Sequence, residues 1–369
     1  MNIYELDTPC LLIDRERVMA NIRRVQDFAD RHQVALRPHT KTHKIPVIAR
    51  LQEENGACGI AVAKVGEAEA MAEAGLRDIF IANEIVGDIK WRRICALAAK
   101  GVHITFGVDT PCQVTGAEAV FADAGLTAEV LIEIEVGENR SGIIEKGDFL
   151  ALLDTIRVCP HVRLAGLFSH DGNSYSARDG EHLIEIAVGA QQRTLDFAKL
   201  AEEHGMPCEV ISYGATPTIL NDVPILPGIT ELRLGTYIFM DASQAHAIGT
   251  LEQCAATVLS TVISRPTAER VIMDVGAKGL TMQTRTEGIC AVEGRGTLFE
   301  QPDVHIDKMF DEHAIIHNAA FRDRCAVGDK YRIIPVHICP VVNLYDGAVL
   351  ISGDEVVGTL DIACRGRLQ

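Results

Sequence analysis

The sequence has little that would place it in a membrane, in an oxidising compartment or on a nucleic acid. None of its 369 residues fall in a run of the roughly 18 to 20 uninterrupted apolar side chains that a membrane helix needs. Its 11 cysteines are scattered singly from Cys10 to Cys364, with no C-x-x-C pair. An odd, scattered set of this kind excludes a disulfide framework or zinc knuckle and fits reduced, mostly buried thiols. Positive charge is in deficit: 35 Lys and Arg face 51 Asp and Glu, a net charge of −16. A phosphate lattice or an acidic membrane surface would repel such a chain, although local basic pockets for small anions remain open to it. Glycine (31) and proline (13) have no period, which excludes collagen, and there is no low-complexity linker and no repeat. No G-x-G-x-x-G joins a strand to a helix, so a dinucleotide fold has little support. Residues 1–14 carry acids where a secretory signal would have a basic start and an apolar core; with the cysteines, this leads us to expect a cytoplasmic protein.

What is there reads as alternating strands and helices. Apolar residues make up 47% of the chain and charged residues 23%, ample for a folded core. Short Ile-, Val- and Phe-rich runs recur at 35–41, 59–64, 78–84, 103–108, 129–136, 164–170, 209–214 and 231–239, as expected of strands buried on both faces. Between them the pattern turns helical. In 14–32, Val18, Ile22, Val25 and Ala29 share one helix face. Residues 67–74 end at Gly75, Asp109-Thr110-Pro111 has the form of a helix start, and 180–203 is long enough for several turns before Gly205. The pattern predicts an α/β fold, a (β/α)8 TIM-like barrel over 14–240, with an open doubly wound sheet as the alternative. Beyond about residue 240 the helical pattern stops. Runs at 254–264, 270–274, 288–293, 330–335 and 347–351 predict an antiparallel β domain over 241–369, to which 1–13, with Cys10-Leu11-Leu12-Ile13, adds a strand.

In a barrel of this kind the chemistry lies at the carboxyl ends of the strands. Those ends hold Lys41, Lys64, Glu84, Asp109, Arg140, His170, Tyr213-Gly214 and Tyr237. The densest segment, Arg37-Pro38-His39-Thr40-Lys41-Thr42-His43-Lys44, follows the first barrel strand. A lysine there, beside other cations in a partly dry cavity, is suited to act as a Schiff-base amine; a solvated basic loop is the plainer reading. Ser212-Tyr213-Gly214-Ala215-Thr216-Pro217-Thr218 follows the seventh strand and offers N–H groups and hydroxyls to a phosphate, or is an ordinary tight turn. His337-Ile338-Cys339, read as part of a strand over 334–346, would turn an imidazole and a thiolate to one side, half of a zinc-type shell; the plainer alternative is a structural His beside a buried Cys. Glu312, His313 and His317 are possible further ligands or ordinary polar residues.

Taken together these segments resemble the fold-type III pyridoxal phosphate enzymes of the D-serine dehydratase and D-threonine aldolase family. The resemblance runs over nearly the whole chain. It rests on 37–44, Leu6-Asp7-Thr8-Pro9, Lys64-Val65-Gly66-Glu67-Ala68, Gly137-Glu138-Asn139-Arg140-Ser141-Gly142, Ser169-His170-Asp171-Gly172 with Tyr175, 212–218, Leu234-Gly235-Thr236-Tyr237 and 335–346. It implies an alanine-racemase-like barrel that carries pyridoxal phosphate, a β domain that carries a divalent metal, and a homodimer with sites near the subunit interface. It also implies roles: Lys41 bonds the cofactor, Arg140 faces the pyridine nitrogen, Ser212, Gly214, Thr216 and Tyr237 hold the phosphate, His170 and Tyr175 line the ring and the substrate, and His337 and Cys339 bind the metal. An arginine at the pyridine nitrogen would make the ring a weaker electron sink and leave more of the work to the metal.

A cofactor acting at Cα and a metal beside it suit a β-hydroxy amino acid, and the resemblance implies the D configuration. A dehydratase would give a 2-keto acid and ammonia; an aldolase acting on D-threonine or 3-hydroxy-D-aspartate would give glycine and an aldehyde. In that family the dehydratases resemble one another in a His-x-Cys pair and the aldolases in His-x-Asp. His337-Ile338-Cys339-Pro340 therefore favours a dehydratase of the D-serine or 3-hydroxy-D-aspartate type, while Val342-Asn343-Leu344-Tyr345-Asp346 is similar to the aldolases. A thiolate ligand suits zinc, and a carboxylate would better suit manganese or magnesium. An amino-acid racemase would need a second base that is not identifiable here, and a non-catalytic pyridoxal-phosphate-binding protein would lack the second domain.

Overall fold

The structure, a computed structural model, describes all 369 residues. They group into two compact units, each interrupted in sequence. One comprises Val25–Lys41, Pro46–Gly235 and Arg367–Gln369; the other comprises Met1–Arg24, Thr42–Ile45 and Thr236–Gly366.

The first unit contains eight parallel strands, Ala35–Leu36, Ile60–Val62, Asp78–Glu84, His103–Val108, Ala128–Ile134, Val162–Ser169, Val210–Tyr213 and Glu231–Leu232. The last pairs back onto the first, and a parallel bridge between His39 and Ala61 joins the first to the second, so the sheet curls round on itself. All eight runs expected from the sequence are present, with helices between them, and the barrel reading stands over the doubly wound alternative. The first and last strands have two ladder residues each, and the chain beyond them turns at Thr40–Thr42 and Thr236–Ile238. Helix Pro111–Ala124 starts at Thr110, which closes a capping box with Gln113, and ends at Gly125 in the left-handed conformation. Helix Gly180–Glu203 starts at Asp179, whose side chain accepts from the His182 N–H. Inside the barrel, Ala61, Phe80, Leu131, Ala165 and Phe168 form a buried plug, with the two phenylalanine rings edge to face at 5.1 Å. Below it, at the amino ends of the strands, Arg37, His103, Glu129, Arg163, Glu209 and Glu231 line a cavity of about 120 Å³. Arg37 therefore does not join the basic cluster expected for 37–44. It pairs with Asp78 and Glu231 at the amino ends of the barrel strands, whereas Lys41 lies beyond the carboxyl end of the first strand.

The second unit is a nine-stranded sheet. Cys10–Asp14 lies inside it, antiparallel to Ala256–Ser264 and parallel to Gly347–Ser352. The sheet is thus antiparallel except at this one pair. The runs expected at 270–274, 330–335 and 347–351 are strands; 288–293 is not, and forms turns in which the Val292 N–H bonds the Arg285 carbonyl. Strands Gly296–Leu298, Lys308–Met309, Ala314–His317 and Glu355–Asp361 were not foreseen. Three are short, and Glu355–Asp361 is half exposed along its length, so its apolar pattern is diluted. The segment 334–346 is also not one strand. The chain leaves strand Lys330–Pro335, and His337 becomes the N-cap of a short helix, Ile338–Val342, because Pro340 lacks the N–H that a central strand would use and fits a first helical turn. No helix in the chain is long and apolar enough to cross a membrane.

Candidate active site

At the carboxyl end of the barrel, Lys41 sits in the turn Thr40–Thr42, directly after the first strand. Two imidazoles flank it electrostatically. His39 is buried, and its Nδ1 accepts from the Lys41 N–H at 3.5 Å. His170, at the end of strand Val162–Ser169, is tied through Nδ1 to the Gly214 carbonyl at 3.1 Å. Burial, and then the charge of Lys41 and of neighbouring arginines, holds both imidazoles well below their usual pKa, so both are neutral. Tyr175, in the turn Gly172–Ser176, places its ring 6.4 Å from that of His170.

Arg140 is about half exposed (49%) and makes ion pairs to Glu133 at 3.4 Å and to Glu138 at 3.2 Å. Sequence reasoning overlooked the second arginine of the mouth, Arg233. It follows the last strand, is 5% exposed, and donates to the Ser169 carbonyl at 2.9 Å. Its guanidinium stacks on Phe168 at 5.2 Å and Phe80 at 5.8 Å, and its Nε has no partner. The usable signal was an arginine in a run otherwise buried on both faces, directly before Leu234-Gly235.

The loop after strand Val210–Tyr213 divides its labour. The Ser212 hydroxyl is already engaged, donating to Glu231 at 2.8 Å. Gly214 has φ 138°, a conformation that L side chains rarely adopt, and its carbonyl holds His170. Thr216 opens the short helix Thr216–Leu220, and its hydroxyl is buried without a partner. A buried orphan hydroxyl, a helix start and the cations Lys41, Arg140 and Arg233 together suit an anionic ligand of the phosphate class. Tyr237 is buried in the turn Thr236–Ile238, which belongs to the other unit. Of the remaining strand-end residues, Lys64 is the N-cap of helix Val65–Glu73, Asp109 accepts from the Gly142 N–H at 3.4 Å, and Glu84 lies against Glu133.

In the second unit His337 and Cys339 do come together, by a route other than strand alternation. An extended N-cap followed by a helical turn brings imidazole and thiol side by side. Burial alone would raise the thiol pKa, but His337 and the Thr42 hydroxyl, 3.2 Å from Sγ, bring it down to about 7. Thr236 Oγ1 is 3.6 Å from the same sulfur. His337 Nδ1 meets the Gln283 side-chain oxygen at 2.6 Å, so a metal would have Nε2 to bind. Asp241 stabilises the turn by accepting from the Ile338 N–H at 3.1 Å. A soft thiolate and an imidazole fit a divalent metal of the zinc class, and no third His, Cys, Asp or Glu clusters with them. Glu312 pairs with Lys278, and His317 with Asp307, so neither joins the pair; nor does His313.

Comparison with known proteins fits both halves of this picture. The alanine racemase N-terminal domain matches residues 13–243, and a domain described as "Putative serine dehydratase domain" matches residues 255–351. The chain belongs to this family of pyridoxal-phosphate-dependent lyases. It is 34% identical to a D-threonine aldolase of Arthrobacter sp over 99% of this chain and 94% of that one. It is 31% identical to a D-threo-3-hydroxyaspartate dehydratase of Delftia sp. (strain HT23) over 97% of each. The solved structure of that dehydratase superposes with a TM-score of 0.91, at 29% identity over 98% of each chain. A D-threonine aldolase structure from Filomicrobium marinum gives 0.89, at 29% identity over 99% of this chain and 98% of that one. A D-threo-3-hydroxyaspartate dehydratase has also been solved with one cysteine changed to alanine, in a metal-free form, and with the histidine two residues earlier changed to alanine.

Proposed function

We propose that this protein is a dehydratase of β-hydroxy-D-amino acids of the D-serine or 3-hydroxy-D-aspartate type, releasing a 2-keto acid and ammonia. The observation that carries this is the His337–Cys339 pair, with its thiol drawn down to about 7, in the His-x-Cys spacing of the two D-threo-3-hydroxyaspartate dehydratase variants. When bound, pyridoxal phosphate supplies an electron sink for Cα, and a divalent metal supplies a Lewis acid for the β-hydroxyl. The barrel unit would carry the cofactor and the strand unit the metal. The Lys41 amine would anchor the cofactor and take the α-proton. Ser212, Gly214, Thr216 and Tyr237 would hold the phosphate, Arg140 would face the pyridine nitrogen, and His170 with Tyr175 would line the ring and substrate. His337 and Cys339 would hold zinc in preference to manganese or magnesium. With only these two side chains offered, a bound metal would be left room for water and substrate, which suits a Lewis acid.

A second reading, a D-threonine or 3-hydroxy-D-aspartate aldolase, draws on the 34% identity to the Arthrobacter aldolase. Product analysis on D-serine, D-threonine and 3-hydroxy-D-aspartate, with and without chelator, separates the two. Keto acid plus ammonia, lost on chelation, is expected; glycine plus an aldehyde would overturn the dehydratase reading in favour of the aldolase. We further propose a cytoplasmic homodimer, in keeping with cysteines that are all free; sedimentation at catalytic concentration tests the dimer.

A further inference from the structure

Two carboxyl groups at the barrel mouth have no role in the scheme above. Glu84 ends strand Asp78–Glu84, and Glu133 lies near the end of strand Ala128–Ile134. Their side chains hydrogen-bond to each other. Glu133 is 4% exposed, and Glu84 Oε1 is buried with no partner. Two carboxylates cannot make this contact in a dry site unless one of them keeps its proton. The surroundings decide which. Glu133 accepts from the Ser141 hydroxyl at 2.8 Å, lies 3.4 Å from an Arg140 nitrogen and feels the charge of Arg233. Glu84 has no such cation and faces Glu133 and Asp109 instead. Burial and these two acids push Glu84 up to about 9, whereas Glu133 is held below the usual carboxylate range.

We propose that Glu84 and Glu133 share one proton, that Glu84 donates it to Glu133, and that this singly charged pair positions Arg140 at the barrel mouth. Glu84 is then a positioning residue acting through Glu133, and Arg140 is held between Glu133 and Glu138. The pair leaves one net negative charge beside the guanidinium, enough to orient it without cancelling the positive field that an anionic cofactor needs. The role given to Arg140 rests on the function proposed above; the shared proton does not.

The experiment therefore has two arms. In the cofactor-free protein at pH 8, above the Asp171 value of about 7, the infrared difference between wild type and Glu84→Gln should contain a protonated carboxyl band; its absence from that difference would overturn the shared proton. In the second arm, pyridoxal phosphate affinity and the pH profile of kcat/KM are compared for Glu84→Gln, Glu84→Ala and Glu133→Gln. Glu84→Gln keeps a donor to Glu133 and should bind cofactor as the wild type does, with the alkaline limb of the profile removed. Glu84→Ala and Glu133→Gln should each weaken cofactor binding about tenfold, the scale of one lost hydrogen bond to a charged group. Equal losses in Glu84→Gln and Glu84→Ala, or no loss in any variant, would overturn the positioning role. Arg140→Ala serves as the control: unchanged cofactor affinity there would remove Arg140 from the cofactor while the infrared result still decides the proton.

Discussion

Lys41, Thr216 and Cys339 carry the amine, the hydroxyl and the thiol best suited to holding a ligand. The Thr216 hydroxyl is the clearest case, since a buried, unpartnered donor costs about 1–3 kcal/mol unless a ligand repays it. For Lys41, borohydride reduction of the cofactor-loaded protein followed by peptide mapping should place the label on this residue, and Lys41→Ala should lower turnover at least about a hundredfold. A label on Lys44 or Lys64 would refute the assignment. For Cys339, replacement by alanine and chelation should act alike: turnover is lost, while cofactor binding and the melting temperature hold. Unfolding on chelation would instead mark the site as structural. Cys339→Asp should recover part of the activity with manganese, and a shift of its products toward glycine would make this ligand a determinant of which bond breaks.

At the level of elements, the strands that were legible are those with a buried apolar run, such as Asp78–Glu84 and Val162–Ser169, because burial there selects residues such as Ile79, Phe80, Ile81, Leu167 and Phe168. Glu355–Asp361 was illegible for the opposite reason, and the helix Ile338–Val342 was misread because an apolar run of five residues has no decisive period. The mouth residues Lys41 and His170 could be placed from strand ends alone. Arg233 could not, since its burial depends on Phe80 and Phe168 from distant strands. Helix packing gives a test in which two effects oppose each other. Gly116 lies within helix Pro111–Ala124, where alanine would gain about 1 kcal/mol of helix propensity. However, a Cβ there would come within 2.1 Å of the Trp91 ring, and overpacking of this kind costs about 1–3 kcal/mol. Gly116→Ala should therefore destabilise in urea unfolding, followed through Trp91, the only tryptophan in the chain.

At the scale of the whole molecule, groups at the two ends of the barrel slope stability with pH in opposite directions: the neutral His39 and His170 favour higher pH, and His103 favours lower pH. At the amino end of the barrel, His103 contacts Asp78 at 3.1 Å and Glu129 at 3.0 Å. Burial opposes its charge, but the two carboxylates outweigh burial and raise its pKa above 6.5. A raised folded-state pKa means that the native state binds more protons, so this contribution is complete below about pH 6.5 and is lost as pH rises through the folded value. Asp171, buried against Tyr213 and raised to about 7, slopes the same way. His103→Gln should therefore cost more stability at pH 6 than at pH 9, read as the difference in thermal midpoint from the wild type at each pH; a difference that does not shrink over this interval would contradict the assignment. The interrupted units also set an order of assembly. Strand Cys10–Asp14 is made first, yet its antiparallel partner Ala256–Ser264 begins roughly 240 residues later and its parallel partner Gly347–Ser352 later still. At about 5–20 residues per second the ribosome leaves Leu11, Leu12 and Ile13 unpaired for on the order of ten to fifty seconds, while every barrel strand has already emerged. In nascent chains in which residue 235 has cleared the exit tunnel the barrel should already resist protease, whereas the amino terminus should become protected only once residue 352 has cleared it.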